Sequence, residues 1–172
     1  MLEPEVETRS TADQSRMDDA SFRCQMAYLI DRSPFYREKL AVAGFATADA
    51  IGGLDRIAAL PFTEKQEIRA SCTADNPIGA HLAVPPDRLV RIYSTSGTTG
   101  TPSYIPLTLQ DLDNWVTTSA RSYSASGIAA GETIVSTYNA GPFVAGAALA
   151  AFDRLGLCHV PVGTGNTERL MT

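Results

Sequence analysis

Ser94-Thr95-Ser96-Gly97-Thr98-Thr99-Gly100-Thr101-Pro102 concentrates glycine and hydroxyl side chains more densely than any other stretch of this 172-residue chain. Gly97 and Gly100 let the backbone bend with its amides turned inward, and Thr95, Ser96, Thr98 and Thr99 offer hydroxyls to phosphate oxygens. The stretch therefore reads as a phosphate-gripping loop. A flexible Ser/Gly/Thr linker would share the composition. However, apolar and β-branched runs lie close on both sides, Leu89–Tyr93 before the loop and Tyr104–Leu107 after it, and linkers rarely sit inside a sheet. Strand, loop, strand is the simplest arrangement. The phosphate loop of P-loop NTPases is excluded, because five residues after Gly97 stands Pro102 with no lysine after it.

Downstream, Thr108 is placed to cap a helix whose apolar face is Leu109, Leu112, Trp115 and Val116, with Gly127 near its end. Thr133–Tyr138 reads as a strand, Pro142–Leu155 as a helix stopped by Gly156, and Cys158–Val162 as a further strand. Strands alternating with helices predict a parallel sheet with right-handed crossovers. Ligands on such sheets bind at the carboxyl ends of strands, where Tyr138, Asn139 and the Gly163–Asn166 loop fall. Two nucleotide motifs fail on spacing. Gly163-x-Gly165 has Glu168 where G-x-G-x-x-G needs its third glycine, and Gly141 and Gly146, at Walker spacing, are followed by Ala147 and Ala148. The latter segment reads instead as tight helix packing.

Upstream of the loop the text is helical. Residues 1–12 are acidic and polar with little to bury and are expected to be a mobile tail. Met17, Phe22, Met26, Leu29 and Ile30 recur at roughly helical spacing, predicting one amphipathic helix. Ser33 as N-cap, Pro34 at the first helical position and Gly44 as the stop predict a second, and Leu54, Ile57 and Leu60 a short turn ending at Pro61. Thr63 with Gln66 predicts a capping box opening a helix through Ile68. The expected organisation is a tail over 1–12, a helical segment over 13–88, and a partial α/β nucleotide-binding domain over 89–172.

With 44% hydrophobic and 19% charged residues, the chain suits an ordinary globular domain rather than a disordered one. A net charge of −5 without basic runs argues against nucleic acid or an anionic membrane as partner. Cys24, Cys72 and Cys158 are widely spaced and odd in number, as reduced cytosolic thiols are, and His81 and His159 have no neighbours at metal-ligand spacing. No metal site is expected. The longest apolar run, 140–152, falls short of the roughly 20 residues a membrane span needs, so the expected location is the cytoplasm.

The loop resembles the hydroxyl- and glycine-rich ATP loop of the acyl-adenylate-forming superfamily. Arg32-Ser33-Pro34-Phe35-Tyr36-Arg37, Leu60-Pro61-Phe62-Thr63-Glu64-Lys65-Gln66, Arg91, and Pro161-Val162 followed by Gly165-Asn166-Thr167-Glu168-Arg169 narrow the resemblance to the phenylacetate-coenzyme A ligase family over about residues 20 to 172. The resemblance implies an α/β fold: a helical N-terminal segment, then the start of a βαβ-type layered sheet domain. It also implies adenylation of an aromatic carboxylic acid by ATP with Mg²⁺, followed by transfer of the acyl group to coenzyme A. Thr95, Ser96, Gly97, Thr98, Thr99, Gly100 and Thr101 would hold the phosphates. Tyr138 and Phe143 would wall the acid pocket, with plain core packing as their alternative role. Arg169 would anchor a helix start or touch ligand.

Three features depart from that family. Thr101 stands where the family usually has a lysine, and Ala140 replaces a second aromatic. Only six residues follow Asn166, under two helical turns, so a truncated chain is expected. The ribose-binding acid and adenylating lysine would lie beyond it, leaving the chain inactive alone and prone to self-association or pairing with a complementary chain. The alternatives are a non-catalytic binding or assembly module, and an adenylating enzyme that passes its acyl group to a carrier protein or an amine.

Overall fold

The structure is a computed structural model, and it describes residues 1–95, 102–138, 145–165 and 171. Two compact units make up the chain: one is Thr8–Arg88, and the other is Leu89–Thr172 together with Met1–Glu7. Residues 4–7 form a short helix, α1 (Pro4–Glu7), where the sequence reading has no element. The Glu7 carboxylate accepts the N–H groups of Leu2 and Glu3, both at 2.9 Å, which satisfies donors that a helix start leaves orphaned.

In the first unit, α2 (Thr11–Arg32) begins at Ser10, whose hydroxyl accepts the Asp13 N–H. This helix starts earlier than the apolar spacing indicates, and none of its 22 residues is fully buried, but Phe22, Met26, Leu29 and Ile30 are half-buried along the face the spacing indicates. Met17 and Tyr28 remain 49% and 41% exposed. Local capping and ion pairs such as Arg23–Asp19 add to that face. The α3 helix (Pro34–Val42) starts as read, with Ser33 as N-cap and Pro34 at its first position, and Gly44 follows its C-cap at φ +89°. Ser33 is fully buried, and its hydroxyl also donates to the carbonyl of His81 at 3.2 Å.

After α4 (Ala48–Ile51) a 3₁₀ turn runs Leu54–Ala59, and α5 spans Lys65–Ala70. The box opening α5 uses Glu64 and Glu67 rather than Thr63 and Gln66: the Glu67 carboxylate accepts the Glu64 N–H at 2.6 Å. A carboxylate fills the reciprocal acceptor role as well as an amide does, so the true box lies one residue downstream.

The second unit carries two small sheets. β1 (Leu89–Ser94) and β2 (Tyr104–Thr108) pair antiparallel, with an irregularity between Leu89 and Arg91. The strand–loop–strand reading is thus a hairpin, a pair separate from the parallel sheet. The loop is short, and a short connection returns the chain beside its neighbour, whereas a parallel pair needs a crossover of a dozen or more residues. β3 (Thr133–Ser136) and β4 (Cys158–Pro161) are the parallel pair, with α7 (Ala145–Leu155) between them, as the alternation predicts.

Between the hairpin and β3 lies α6 (Leu109–Ala125), opened by Thr108 with Asp111 completing a capping box. The Thr108 N–H donates to Asp111 at 2.9 Å, and the Asp111 N–H donates to Thr108 at 3.2 Å. Val116 and Ala120 of α6 pack with Ala151, Phe152, Leu155 and Leu157 into the main core. Leu109, expected on this apolar face, is 70% exposed because the first turn lies beyond the packed stripe. A guanidinium ties the two helices together: Arg154 of α7 donates to Thr117 at 2.8 Å and pairs with Asp113.

Candidate functional site

The site is built by the ends of β1 and β3 and by the two helices packed beside them. At the end of β1 the Thr95 N–H donates to the Ser103 carbonyl at 3.0 Å, and the Thr95 hydroxyl accepts the Ser103 N–H at 3.1 Å. The hairpin ladder thus continues one pair past Ser94 and Tyr104, so Thr95 clamps the base of the loop. The other loop residues read from the sequence, Ser96, Gly97, Thr98, Thr99, Gly100 and Thr101, lie outside the described residues. So does Phe143.

Tyr93, one residue before the end of β1, is 3% exposed. Its ring lies edge-on to Trp115 of α6 at 6.3 Å. On another side it meets the first turn of α7, where a Cβ built on Gly146 would sit 3.3 Å from the phenol oxygen. A side chain there is tighter than nine in ten real Cβ contacts. Gly146 therefore serves close packing, as its spacing without a lysine implies, and Ala147 beside it is fully buried.

Tyr138 follows β3 and is 65% exposed, a surface position that core packing does not explain. It lines an open cavity of about 630 Å³ together with Trp115 and Tyr123 of α6, Ser136 at the end of β3, Thr137 after it, and Phe152 of α7. Among the described residues no charged side chain lines it. A smaller cavity of about 390 Å³ shares Tyr138 and adds Asp153, His159 and Gly163. Between the two, Ser136 Oγ and His159 Nε2 are joined by a hydrogen bond of 2.8 Å, and the imidazole sits edge-on to Phe152 at 4.9 Å.

Trp115 is legible in the sequence only as an apolar helix position, and Tyr123, eight residues further on, completes the same stripe. The contact between Ser136 and His159 has no sequence signal, because it depends on the register that pairs Ser136 with Pro161. Tyr138 thus joins the helix aromatics at one mouth, and Thr95 stands at the loop base. Among the described residues no three His, Cys, Asp or Glu side chains group as a metal would require.

No family model matches the chain. Over 98% of its length, however, it is 34% identical to the phenylacetate-coenzyme A ligase of Thermus thermophilus. It is a homologue of the N-terminal portion of the phenylacetate-coenzyme A ligases. The corresponding enzymes of Pseudomonas putida and Escherichia coli K12 are each 32% identical over 98% of the chain. The chain spans 37% of the length of each of these relatives. Its fold matches a 2-hydroxyisobutyryl-CoA ligase solved with 2-HIB-AMP and CoA in the thioesterification state, at a TM-score of 0.84 and 28% identity, over 97% of this chain and 36% of that one. An open conformation of that ligase matches at 0.82 and 26% identity, over 97% and 39%. The mixed α/β architecture is therefore that of an adenylate-forming ligase's N-terminal region.

Proposed function

We propose that this chain supplies the phosphate loop and part of the acyl pocket of an ATP-dependent aryl-acid coenzyme A ligase. Such an enzyme joins a carboxylate to the α-phosphate of ATP, releasing pyrophosphate, and then passes the acyl group from the adenylate to the thiol of coenzyme A. The observation that carries the reading is the hairpin β1–loop–β2 with its base closed by Thr95 and Ser103, in a fold aligned with a ligase solved with an acyl-adenylate and CoA.

In this reading residues 95–101 hold the phosphates through backbone amides and hydroxyls. Catalysis there is positioning and charge stabilisation rather than covalent work by the protein. Mg²⁺, when bound, supplies countercharge to the phosphates, and the hydroxyls of the loop are the groups of this chain suited to orient them. Tyr138 and Phe143 wall the pocket of an aromatic acid. Among the described residues the lining of the larger cavity is uncharged and rich in aromatics, which supports an apolar acyl end. The helical segment 13–88 forms a part separate from that machinery. The acidic net charge and three unbridged cysteines support a cytoplasmic location. Among the described residues no helix is long and apolar enough to cross a membrane.

The test joins the chain to the part of the Thermus thermophilus relative that it does not match and measures exchange of pyrophosphate into ATP. Acid-dependent exchange, strongest with aryl acids, is expected of the joined protein and none of the 172-residue chain alone. A folded joined protein without acid-dependent exchange overturns the ligase reading. Robust exchange by the chain alone overturns its dependence on a complementary part.

A further inference from the structure

Arg91 and Tyr93 stand two residues apart on β1, hence on one face of the strand, and Thr95 continues the row to the loop base. The Arg91 guanidinium donates to the Tyr93 phenol oxygen at 3.2 Å and lies 5.9 Å from the ring centroid. Arg91 is exposed, yet among the described residues it has no carboxylate partner. Tyr93 is 97% buried in turn and cannot swing away, being fixed by Trp115 and by the Gly146 backbone. Its oxygen accepts from Arg91, and among the described residues nothing accepts its proton.

A guanidinium with N–H groups to spare is thus held by a phenol oxygen on a rigid support. The guanidinium has further N–H groups in a fixed fork, which suits two oxygens of one tetrahedral anion. The loop residues themselves are neutral, Thr101 included, so a polyphosphate held by them would lack a cation from the protein. We infer that Arg91, aimed by Tyr93, is an anion-binding pair on the strand that enters the loop and takes an oxygen of the nucleotide's polyphosphate. The inference rests on the ligase reading, which assigns phosphates to the loop, and adds a charged contact outside it. Arg91 is the binding residue and Tyr93 the positioning residue.

The experiment titrates the 172-residue chain with magnesium pyrophosphate by calorimetry at two salt concentrations, with adenosine as a control that carries no phosphate. Wild type is expected to bind pyrophosphate. Arg91→Met is expected to weaken binding by about tenfold to a hundredfold, the loss of a charge-assisted hydrogen bond, and to flatten the salt dependence. Arg91→Lys should recover part of the affinity. Tyr93→Phe keeps the ring packing and should cost about three- to tenfold, the loss of the hydrogen bond that aims the guanidinium. All three variants should melt within a few degrees of wild type, because Arg91 is at the surface and the phenylalanine ring fills the same space.

Unchanged affinity and salt dependence in Arg91→Met overturn the inference, as does a wild-type chain that binds no pyrophosphate. Gly100→Val separates this from the ligase reading. If it weakens binding while Arg91→Met does not, the loop holds phosphate without the arginine. If the reverse holds, the arginine binds an anion and the loop does not.

Discussion

The two units reach order by different means. Among the described residues, Thr8–Arg88 buries only Leu40 and Ile51 of its hydrophobic side chains, whereas Leu89–Thr172 buries Tyr93, Leu107, Val116, Phe152, Leu155, Leu157 and several alanines. The first unit is held by short polar links: Ser33 to the carbonyls of Ala80 and His81, Asp19 to the Leu54 N–H at 2.7 Å, and Lys39 to Glu67. Burial scales with apolar area and tolerates small shifts, while hydrogen bonds need their geometry. The site is therefore carried by the unit with the packed core, and the helical unit should respond to pH and to single polar deletions.

The largest break in that contrast is Phe152→Ala, which empties the centre of the α6–α7 core between Tyr123 and His159. A loss of about 3–5 kcal/mol is expected, read as a lower denaturant midpoint of the second unit by its tryptophan fluorescence. A loss under about 1 kcal/mol would mean that this core is not what holds the site. Next in size is Ser33→Ala, which removes an N-cap and leaves the Tyr36 N–H without the hydroxyl that accepts it. It should cost about 1–2 kcal/mol, seen as faster hydrogen exchange across α3 with the exchange of α6 unchanged.

How much of this was legible follows from where each signal lives. Caps and stops are local, so Ser33, Pro34, Gly44, Thr108 and Gly156 mark their elements correctly from sequence. Pairing is not local. Nothing in Leu89–Tyr93 or Tyr104–Leu107 states that they pair with each other rather than join β3, and the antiparallel hairpin follows only from the short connection. For α2, the apolar spacing marks the half-buried face of Phe22, Met26, Leu29 and Ile30 but not the start at Thr11. Glu64 and Glu67 show that two overlapping capping signals cannot be ranked without the backbone. At the site, Tyr138 stood out by its place after a strand, whereas Trp115 and Tyr123 became pocket residues only once α6 was set against β3.

Acid sharpens the comparison more gently. The Arg23 guanidinium and the Leu54 N–H hold the Asp19 carboxyl below its ordinary value, and the Glu64 N–H and Lys39 do the same for Glu67. Carboxyls lowered in the folded state stabilise it above their unfolded values, and that contribution disappears as pH falls through the folded ones. Both links sit in the helical unit, so circular dichroism from pH 7 down through the carboxylate range should show its helices lost before the tryptophan-reported core loosens. Simultaneous loss would contradict the division. The smallest effect belongs to Leu109→Ala, which at 70% exposure should change stability by no more than about 0.5 kcal/mol.

The central claim is that the stretch around Gly97 and Gly100 holds the phosphates of ATP, and pyrophosphate release against ATP concentration in the joined protein tests it most directly. A lysine at 101 would face the departing pyrophosphate with a charge where the threonine offers a neutral hydroxyl. Thr101→Lys is therefore predicted to raise adenylation, by about tenfold to a hundredfold if the gained contact acts wholly on the transition state. Gly100→Val is predicted to lower it, because a β-branched side chain stiffens the turn and crowds the phosphate oxygens. A neutral Thr101→Lys together with full activity in Gly100→Val would contradict the account.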